Sequence, residues 1–287
     1  MIFRDKARGS RLADSLGLKT PLTMEVDDAE TAERVARDIG FPVILKPRVS
    51  SGSEGLSRVE RAEDVRPTFE RVSRRMGSLM LQEYIPWGGE TYGVGVLMNA
   101  SSEPRVAFGF RRIRMYPPIA GTNAYGQGVI WPELAEMAVS LLRAVRWYGP
   151  AQVEFRVDPR DGRPVFVEVN GALWGTVFLA MVSGVDVPHL TYRMAVDGDV
   201  EPALQYRTDV KARWLVTEDL LCLLTHPRRH RILGSWLGAF FDRKTRMYLW
   251  SWRDPLPLLA KLLATPLYGL RPARLRRRLG RHAWQRL

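Results

Sequence analysis

Two hydrophobic periods alternate along this chain of 287 residues and predict a mixture of helices and strands. Apolar residues three or four positions apart predict helices over residues 10–17, 28–40, 63–76 and 132–147. Short runs rich in β-branched and aromatic residues predict strands over residues 41–47, 56–59, 79–85, 92–98 and 106–113. Residues 117–128 are rich in Pro and Gly, so we expect a loop there.

The stretch VEFRVDPRDGRPVFVEVNG, residues 153–171, predicts a β-hairpin. Two strand-like runs flank a Pro/Gly turn cluster at residues 159–163. With the turn centred on Asp161, the facing pairs are Glu154 with Glu168, Phe155 with Val167, and Val157 with Val165. One face is then apolar, and the other carries Glu154 and Glu168, with Asn170 two residues further along.

Two facing carboxylates predict a cation between them, because like charges opposite each other destabilise a hairpin. Two carboxylates and an amide oxygen are hard ligands of the kind that Mg²⁺ binds. The alternative is a solvated strand face on which Arg156 neutralises both glutamates. The hairpin alone does not decide between a metal-binding face and a solvated one.

A loop of small residues follows the apolar strand FPVILKP, in which Lys46 is the next to last residue. This loop, RVSSGSEG at residues 48–55, has little side-chain bulk, so several backbone N–H groups can approach an anion. The pattern fits a cover over phosphate groups. Because Gly/Ser loops also join strands in every fold, a plain connection is the alternative.

The net charge of +12 is distributed unevenly. Residues 1–204 hold 25 Lys/Arg against 26 Asp/Glu, whereas residues 205–287 hold 18 against 5. The chain is therefore an electrically balanced body followed by a basic C-terminal extension. The balance over the first two thirds argues against a nucleic-acid-binding protein, despite a pI of about 10.2.

The sequence predicts neither a membrane span nor a secretion signal. No run approaches about 18 consecutive apolar residues. The first residues carry charges where a signal peptide needs an apolar stretch, so we expect a cytoplasmic protein. The single cysteine, Cys222, excludes an internal disulfide and a thiolate metal cluster, and we expect it to pack in the core.

Five segments of the chain occur together over residues 4–199. They are a lysine near the start, FPVILKP with its Ser/Gly loop, QEYIPWGGE, an arginine-rich strand with a glycine loop, and VEF with VFVEVN. In order and spacing they resemble the ATP-grasp ligases, and in particular the carboxylate–amine ligases. The resemblance implies an α+β fold in which two α+β subdomains hold ATP between antiparallel sheets.

The resemblance also implies an ATP site. Lys6 and Lys46 are similar to the lysines that hold the phosphates of ATP. The flexible flap over the phosphates is similar to the loop that contains Ser51, Gly52, Ser53 and Gly55. Glu83, Tyr84 and Ile85 are similar to the family's segment that binds adenine, and Glu90 is similar to the acid that binds the ribose.

For the chemistry, the resemblance implies that Glu154, Glu168 and Asn170 are magnesium ligands, with Mn²⁺ as an alternative metal. Arg112 is similar to a basic residue near the transferred phosphate. The catalytic set is then Lys46, Arg112, Glu168 and Asn170. In this family a small carboxylate attacks the γ-phosphoryl group of ATP, and an amine captures the acylphosphate. The rival interpretation is an ATP-binding subunit or degenerate domain that needs a partner or only senses nucleotide.

We expect an ATP-grasp domain over residues 1–203, with lobes at about 1–80 and 81–203, and an extension over 204–287. Family members usually carry a separate α/β domain ahead of the ATP-binding part. We therefore expect a separate N-terminal-domain partner, a homodimer or the extension to replace it. The family often has Pro-Arg after the asparagine, whereas Gly171 and Ala172 follow Asn170 here, so ATP binding is a firmer expectation than turnover.

The extension combines apolar helical stretches at 217–224, 232–241 and 255–270 with six arginines within residues 271–281. Five of the nine tryptophans lie in it: Trp214, Trp236, Trp250, Trp252 and Trp284. This composition predicts helices that lie on an anionic membrane, here its inner face. An acidic carrier, a nucleic acid, or helices packed on the body are the alternatives. We expect His226 and His230 to lie in a solvated turn rather than to bind metal.

Overall fold

The computed structural model describes residues 2–50, 54–117, 121–251 and 253–269. Its first lobe is a four-stranded antiparallel sheet in the order β1-β4-β2-β3. The elements in chain order are α1 (Lys6–Ser15), β1 (Thr23–Val26), α2 (Ala29–Ile39), β2 (Val43–Pro47), β3 (Ser57–Val59), α3 (Val65–Met76) and β4 (Leu79–Glu83). Except for β1, which was not predicted, these elements match the predicted helices and strands of this half to within about four residues.

Local chemistry sets the ends of α2, and its apolar face sets its position. The Asp28 carboxylate accepts a hydrogen bond from the Thr31 backbone N–H at 2.8 Å, which satisfies a free donor at the helix start. The helix ends at Gly40, whose φ of +88° favours glycine. Val35 packs with apolar residues of α3, β2 and β4, including Leu45, in one buried cluster.

The remaining elements surround a seven-stranded sheet in the order β11-β10-β7-β6-β5-β8-β9. They are β5 (Thr91–Met98), β6 (Pro104–Tyr116), β7 (Thr122–Gly128), α4 (Pro132–Ala144), β8 (Gly149–Val157), β9 (Pro164–Asn170), α5 (Val177–Val182), α6 (Val187–Asp197), β10 (Lys211–Arg213), α7 (Leu220–Thr225), α8 (Arg229–Phe241), β11 (Thr245–Met247) and α9 (Leu256–Gly269). All neighbouring strands are antiparallel except β10 and β11. The predicted α+β class is confirmed.

The two faces of the seven-stranded sheet differ. On one face α4 packs over the alternate residues of β5 and β8, such as Val94 and Val153. On the other face α5 and α6 bury Phe108 and Leu179 in a second cluster. Gly95 of β5 leaves room there, since a Cβ at this position would lie 2.0 Å from the Trp174 ring. The rest of this face is left for the cavity described below.

The predicted hairpin is present, but its apolar face differs from the expectation. Glu154 and Glu168 face each other as predicted, whereas Phe155 faces Phe166 and not Val167. A β-bulge lies between the two pairs, and a bulge reverses the alternation of the side chains beyond it. Phe166 therefore enters the core, while Val165 and Val167 line the cavity on the same side as Glu168.

The predicted Pro/Gly loop at 117–128 is wrong over its second half, which is strand β7. Tyr125 is opposite Arg114 of β6 and also opposite Arg213 of β10. Pairing on both edges gives this glycine-containing segment the hydrogen bonds that a strand needs, whatever its intrinsic preference. Neighbouring atoms leave no room for a side chain at Gly126 and Gly128. A Cβ on Gly126 would lie 2.6 Å from Asn123 Nδ2, and a Cβ on Gly128 would lie 2.9 Å from the Arg207 carbonyl oxygen.

The segment after residue 203 is joined to the second sheet. β10 pairs with β7, and β11 pairs with β10, so the body and the predicted extension share one sheet. The described part of the extension is therefore not purely helical, because Lys211–Arg213 and Thr245–Met247 are strands. The six arginines of the prediction lie outside the described residues, as do Trp252 and Trp284.

A buried ion cluster fixes the extension to the body. Asp219 is fully buried and accepts from Arg114 Nε of β6 at 2.6 Å and from Arg213 Nε of β10. The Arg213 guanidinium also lies 4.5 Å from the ring centres of Trp236 and Phe240 on α8. Arg114 is 8% exposed and Arg213 is 1% exposed. Because both guanidinium groups are buried, they need the opposite charge that Asp219 supplies.

Among the described residues, none of the helices has both the length and the apolar composition needed to cross a bilayer.

Candidate active site

A cavity of about 680 Å³ lies between the two lobes and extends to the C-terminal segment. Residues from β2, β4, β6, β8 and β9 line it, together with the start of α1. Of the predicted site residues, those that line it are Lys6, Lys46, Glu83, Tyr84, Ile85, Arg112, Glu154, Glu168 and Asn170. The fold thus brings together residues that are up to 164 positions apart in the sequence.

Lys6 links the first helix to the acid face of the hairpin. It is the first residue of α1, whose N-terminal cap is Asp5. Its ammonium group donates to the Ser50 carbonyl at 2.6 Å and lies 3.6 Å from a Glu168 carboxylate oxygen. A cation placed between the loop after β2 and Glu168 is suited to contact a phosphate group in the cavity.

Lys46 is buried in the cavity wall and has no carboxylate within salt-bridge distance among the described residues. Its ammonium group donates to Gln82 Oε1 at 2.8 Å, and Gln82 in turn donates to Thr23 at 2.8 Å. Burial lowers the pKa of Lys46 to about 8; the charge of Glu168 opposes this shift, and that of Lys6 adds to it. An anionic group in the cavity would restore the missing neutralisation.

The acid face is held by Arg112 from β6. Arg112 Nη2 lies 2.6 Å from Glu154 Oε1, and Arg112 Nη1 donates to the Gly121 carbonyl at 3.1 Å. Asn170 Nδ2 donates to the same Glu154 oxygen at 3.3 Å. Burial raises the pKa of Glu154, and the nearby charge of Glu168 raises it further, against the effect of Arg112. Arg112, not Arg156, is therefore the arginine that pairs with Glu154, while Lys6 is the cation beside Glu168.

The donor set of this face fits a hard divalent cation. Glu154 and Glu168 repel each other across the hairpin, and Asn170 adds an amide oxygen beside them. The three side chains supply oxygen ligands only, which suits Mg²⁺ or Mn²⁺ better than a thiolate-binding metal. The part of the chain that the structure describes holds no group of three or more His, Cys, Asp or Glu suited to a metal. The candidate set stays below that count, because it has two carboxylates and takes its third donor from the amide of Asn170.

The predicted adenine segment borders the other end of the cavity. Ile85 is buried and lies with Val165 and Val167 in the lining, which gives this end apolar walls. The Glu83 carboxylate is 2.6 Å from Arg160, and the Tyr84 ring lies 4.3 Å from the Arg58 guanidinium. Both polar side chains thus contact arginines of the surrounding structure. An apolar slot beside the end of β4 is suited to a flat heterocycle.

Two other predicted residues in the described part of the chain, Glu90 and Gly55, do not line the cavity. Glu90 precedes β5, where Tyr92 donates to its carboxylate and Arg111 lies 3.2 Å away, so these neighbours already pair with its charge. Gly55 has a φ of +76° and packs on Pro47, where a Cβ would be 2.7 Å away, so it shapes the loop. The other three predicted residues, Ser51, Gly52 and Ser53, lie outside the described residues.

Several residues of the cavity wall were missed by the sequence interpretation. Gln82 holds Lys46, and its place next to Glu83 in QEYIP was a usable signal. Arg156 stacks over Trp87 at 4.7 Å and donates to the Pro86 carbonyl. The others had no local signal, because they come from the segment predicted as a loop, from the segment between β9 and α5, or from the extension: Asn123, Trp174, Thr176, Trp214, Glu218 and Lys261.

Comparison with known proteins agrees with this fold. The sequence profile of the carbamoyl-phosphate synthase L chain, ATP binding domain matches residues 5–84. A D-alanine–D-alanine ligase of Methylococcus capsulatus is 30% identical over 176 residues, which cover 58% of this chain and 55% of the ligase. The alpha chain of human mitochondrial propionyl-CoA carboxylase is 27% identical over 162 residues, or 52% of this chain and 21% of that protein.

A solved structure shares the fold. The biotin carboxylase domain of Hydrogenobacter thermophilus 2-oxoglutarate carboxylase, a dimer crystallised with MgADP, ADP and bicarbonate, superposes with a TM-score of 0.64. The identity is 21%, and the match covers 73% of this chain and 49% of that one. The chain spans about half the length of the curated ligase it matches. Together these similarities support a resemblance to the ATP-grasp carboxylate–amine ligases.

Proposed function

We propose that this protein is a Mg-ATP-dependent ligase that joins a small carboxylate to an amine through an acylphosphate. The observation that carries the proposal is the convergence of Lys6, Lys46 and Arg112 with the acid face in one cavity. Phosphoryl transfer demands positioning and charge neutralisation more than covalent chemistry from the protein. The cavity lining supplies both, and the relatives named above are ATP-dependent enzymes of this kind.

In the proposed reaction, Lys6 and Lys46 bind the phosphates of ATP. Glu154, Glu168 and Asn170 hold Mg²⁺ or Mn²⁺, which would neutralise the phosphate oxygens. Arg112 orients the substrate carboxylate, whose oxygen attacks the γ-phosphorus as ADP leaves. The amine nitrogen then attacks the carbonyl carbon, a C–N bond forms, and phosphate departs while the nitrogen releases a proton. Tyr84 and Ile85 border the adenine.

ADP formation with Mg²⁺ and a panel of acids and amines tests this proposal. Glu168→Gln is expected to lower turnover by about 100-fold or more, because it removes one metal ligand beside the phosphates. The matched control is Glu70→Gln, on the exposed side of α3, which should leave turnover unchanged. Equal loss in both variants, or full activity in Glu168→Gln, contradicts the assignment.

The rival interpretation predicts a different result in the same assay. An ATP-binding subunit or nucleotide sensor would bind ADP, measured by calorimetry, without forming it from ATP. Adding a separate N-terminal-domain protein, or raising the concentration to favour a homodimer, then separates a subunit that needs a partner from a sensor. Failure to bind ADP at all would contradict both the ligase and the nucleotide-binding interpretation.

We further propose that the C-terminal segment contacts an anionic membrane surface, which would place a cytoplasmic enzyme at the inner face of the membrane. Exposed apolar side chains are concentrated on α8 and α9, and Phe241 and Leu263 are exposed by 85% and 74%. Six arginines follow α9 in the sequence. Exposed leucines next to basic residues suit the boundary of an anionic bilayer.

A further inference from the structure

The cavity continues well beyond the phosphate and metal residues. Asn170 ends β9, whereas Trp214 follows β10 and donates its backbone N–H to the Ala124 carbonyl of β7 at 2.8 Å. Four strands lie between β9 and β10 in the sheet. Arg112 of β6 is opposite Gly126 of β7, so the end of the cavity at β7 and β10 begins beside the arginine that pairs with the acid face. We call the end at β7 and β10 the distal compartment; its lining residues are Asn123, Trp174, Thr176, Trp214, Glu218 and Lys261.

Buried uncharged polar atoms belong to residues that line the distal compartment. Asn123 is 3% exposed, and its side chain interacts with the Tyr248 hydroxyl, but neither its amide nitrogen nor its amide oxygen has a hydrogen bond of normal geometry to another described residue. The same holds for Thr176 Oγ1 and Trp174 Nε1, which also belong to buried side chains. A buried polar group left unpaired costs about 1 to 3 kcal/mol. Three such side chains around one space therefore indicate a ligand with hydrogen-bonding groups.

Gly126 leaves the space that the Asn123 side chain occupies. A Cβ on Gly126, three residues along β7, would lie 2.6 Å from Asn123 Nδ2 and 2.9 Å from Oδ1. The asparagine side chain thus lies over the bare backbone of Gly126. Its amide can both donate and accept, as can the Thr176 hydroxyl, so the compartment matches an amide or hydroxyl group better than an ion.

The C-terminal segment supplies a rigid aromatic wall. The Trp214 ring stacks on Tyr248 at 4.3 Å with an angle of 19° between the planes, so Tyr248 supports it from behind. Glu218 and Lys261 bring charges of opposite sign from the same segment. Because these charges balance, the compartment discriminates by shape and by neutral hydrogen bonds rather than by net charge.

We propose that the distal compartment binds the amine substrate, which places a flat apolar group against Trp214 and an uncharged amide or hydroxyl group on Asn123 and Thr176. This inference rests on the proposed function, in which the acid occupies the position at Arg112 and the amine approaches from beyond it. The C-terminal segment is then a substrate-specificity element, and not only an attachment to the body.

Three amines test the proposal: phenylalaninamide, which has a ring and an amide, phenylethylamine, which lacks the amide, and glycinamide, which lacks the ring. Binding is measured by calorimetry to the full chain, with and without MgADP. Phenylalaninamide is expected to bind about tenfold more tightly than either of the others, as the loss of one buried hydrogen bond or ring contact predicts. Equal affinity for all three overturns the proposal.

Two variants assign the contacts. Asn123→Leu should abolish the preference for phenylalaninamide over phenylethylamine, and Trp214→Ala should abolish its preference over glycinamide. Tyr192→Ala, which removes an exposed ring of α6 outside the cavity, is the control and should change neither preference. Unchanged MgADP affinity in each variant shows that the fold is intact. If a variant fails this check, Trp214→Phe, which should keep part of the ring preference, replaces Trp214→Ala, and Asn123→Ala replaces Asn123→Leu.

Failure of this inference is distinct from failure of the proposed function. If MgADP binds but the amines bind equally, the ATP site stands and the distal compartment is not their site. If MgADP does not bind, the proposed function fails, and the amine preferences measured without nucleotide still decide the chemistry of the compartment.

Discussion

Lys46 is the residue whose charge state is most sensitive to its surroundings. Burial lowers its pKa to about 8, from an ordinary value of 10.5, so the ammonium begins to lose its proton just above neutral pH. Bound phosphate stabilises the charged form and raises the pKa again. We therefore expect nucleotide binding near pH 8 to take up a proton, and nucleotide affinity to fall as the pH rises above about 8.

Calorimetry in two buffers of different protonation enthalpy measures that proton uptake. Lys46→Met should abolish it and weaken binding at pH 7 by about 1.5 to 3 kcal/mol, the contribution of one charge-assisted contact. The same uptake in Lys46→Met would assign the proton to another group. Without nucleotide, the unfolded chain binds more protons than the folded chain between pH 8 and 10.5, so this lysine makes the free energy of unfolding rise with pH there.

At the residue scale, alternation within a strand was a reliable guide and partner choice was not. Glu154 and Glu168 face each other as predicted because side chains of paired strands alternate with period two. Val167 was assigned to the wrong face because a bulge leaves no mark in the apolar pattern. Glu90 was expected at the ribose, but its carboxylate is satisfied by Tyr92 and Arg111, which no spacing in the sequence reveals.

At the element scale, Asp219 joins two arginines that belong to different parts of the chain. Asp219→Asn leaves Arg114 and Arg213 buried without a compensating charge, which costs about 3 to 5 kcal/mol for a broken buried pair. We expect a loss of that size in the free energy of unfolding, measured in urea. We also expect faster proteolysis within α7 and α8, because a displaced Arg213 loses the contact of its guanidinium group with the Trp236 ring on α8.

A matched control for that change is Asp242→Asn in the same segment. Asp242 pairs with Lys211 at 2.8 Å, and both side chains are partly exposed, so the expected loss is below about 1 kcal/mol. Similar losses in the two variants would mean that the buried cluster does not carry the attachment of the segment.

Elements with a strong pattern were predictable, and elements defined by their partners were not. The apolar spacing of α2 and its cap residues gave its bounds to within a residue or two. β7 contains two glycines and two small polar residues among its seven residues and owes its extended form to β6 and β10 on either side. β10 and β11 have three residues each, too few to show a period.

At the scale of the whole molecule, the sequence order of five segments indicated the fold, because that order reflects how the two lobes close on one cavity. The sequence allowed the extension as one replacement for the missing N-terminal domain, but it did not indicate which residues of the extension line the cavity. Its residues reach the site through sheet pairing and the Asp219 cluster, and neither Trp214 nor Lys261 belongs to a local sequence pattern. The charge asymmetry correctly marked this segment as different in composition, but composition does not specify contacts.

The proposed membrane contact is a property of the whole molecule, since it joins exposed leucines of α9, Phe241 of α8 and the arginines that follow. Each basic residue near an anionic surface contributes about 1 kcal/mol, so binding to vesicles with anionic lipid should be strong at low salt and weak at high salt. Sedimentation with neutral and anionic vesicles measures this. The double change Phe241→Asp with Leu263→Asp should weaken binding by about tenfold or more, because it removes two apolar contacts and adds negative charge. Leu22→Asp, at a comparably exposed leucine of the first lobe, should have no effect. Binding that ignores lipid charge, or equal binding by the double variant and the parent chain, would leave α8 and α9 without a lipid partner.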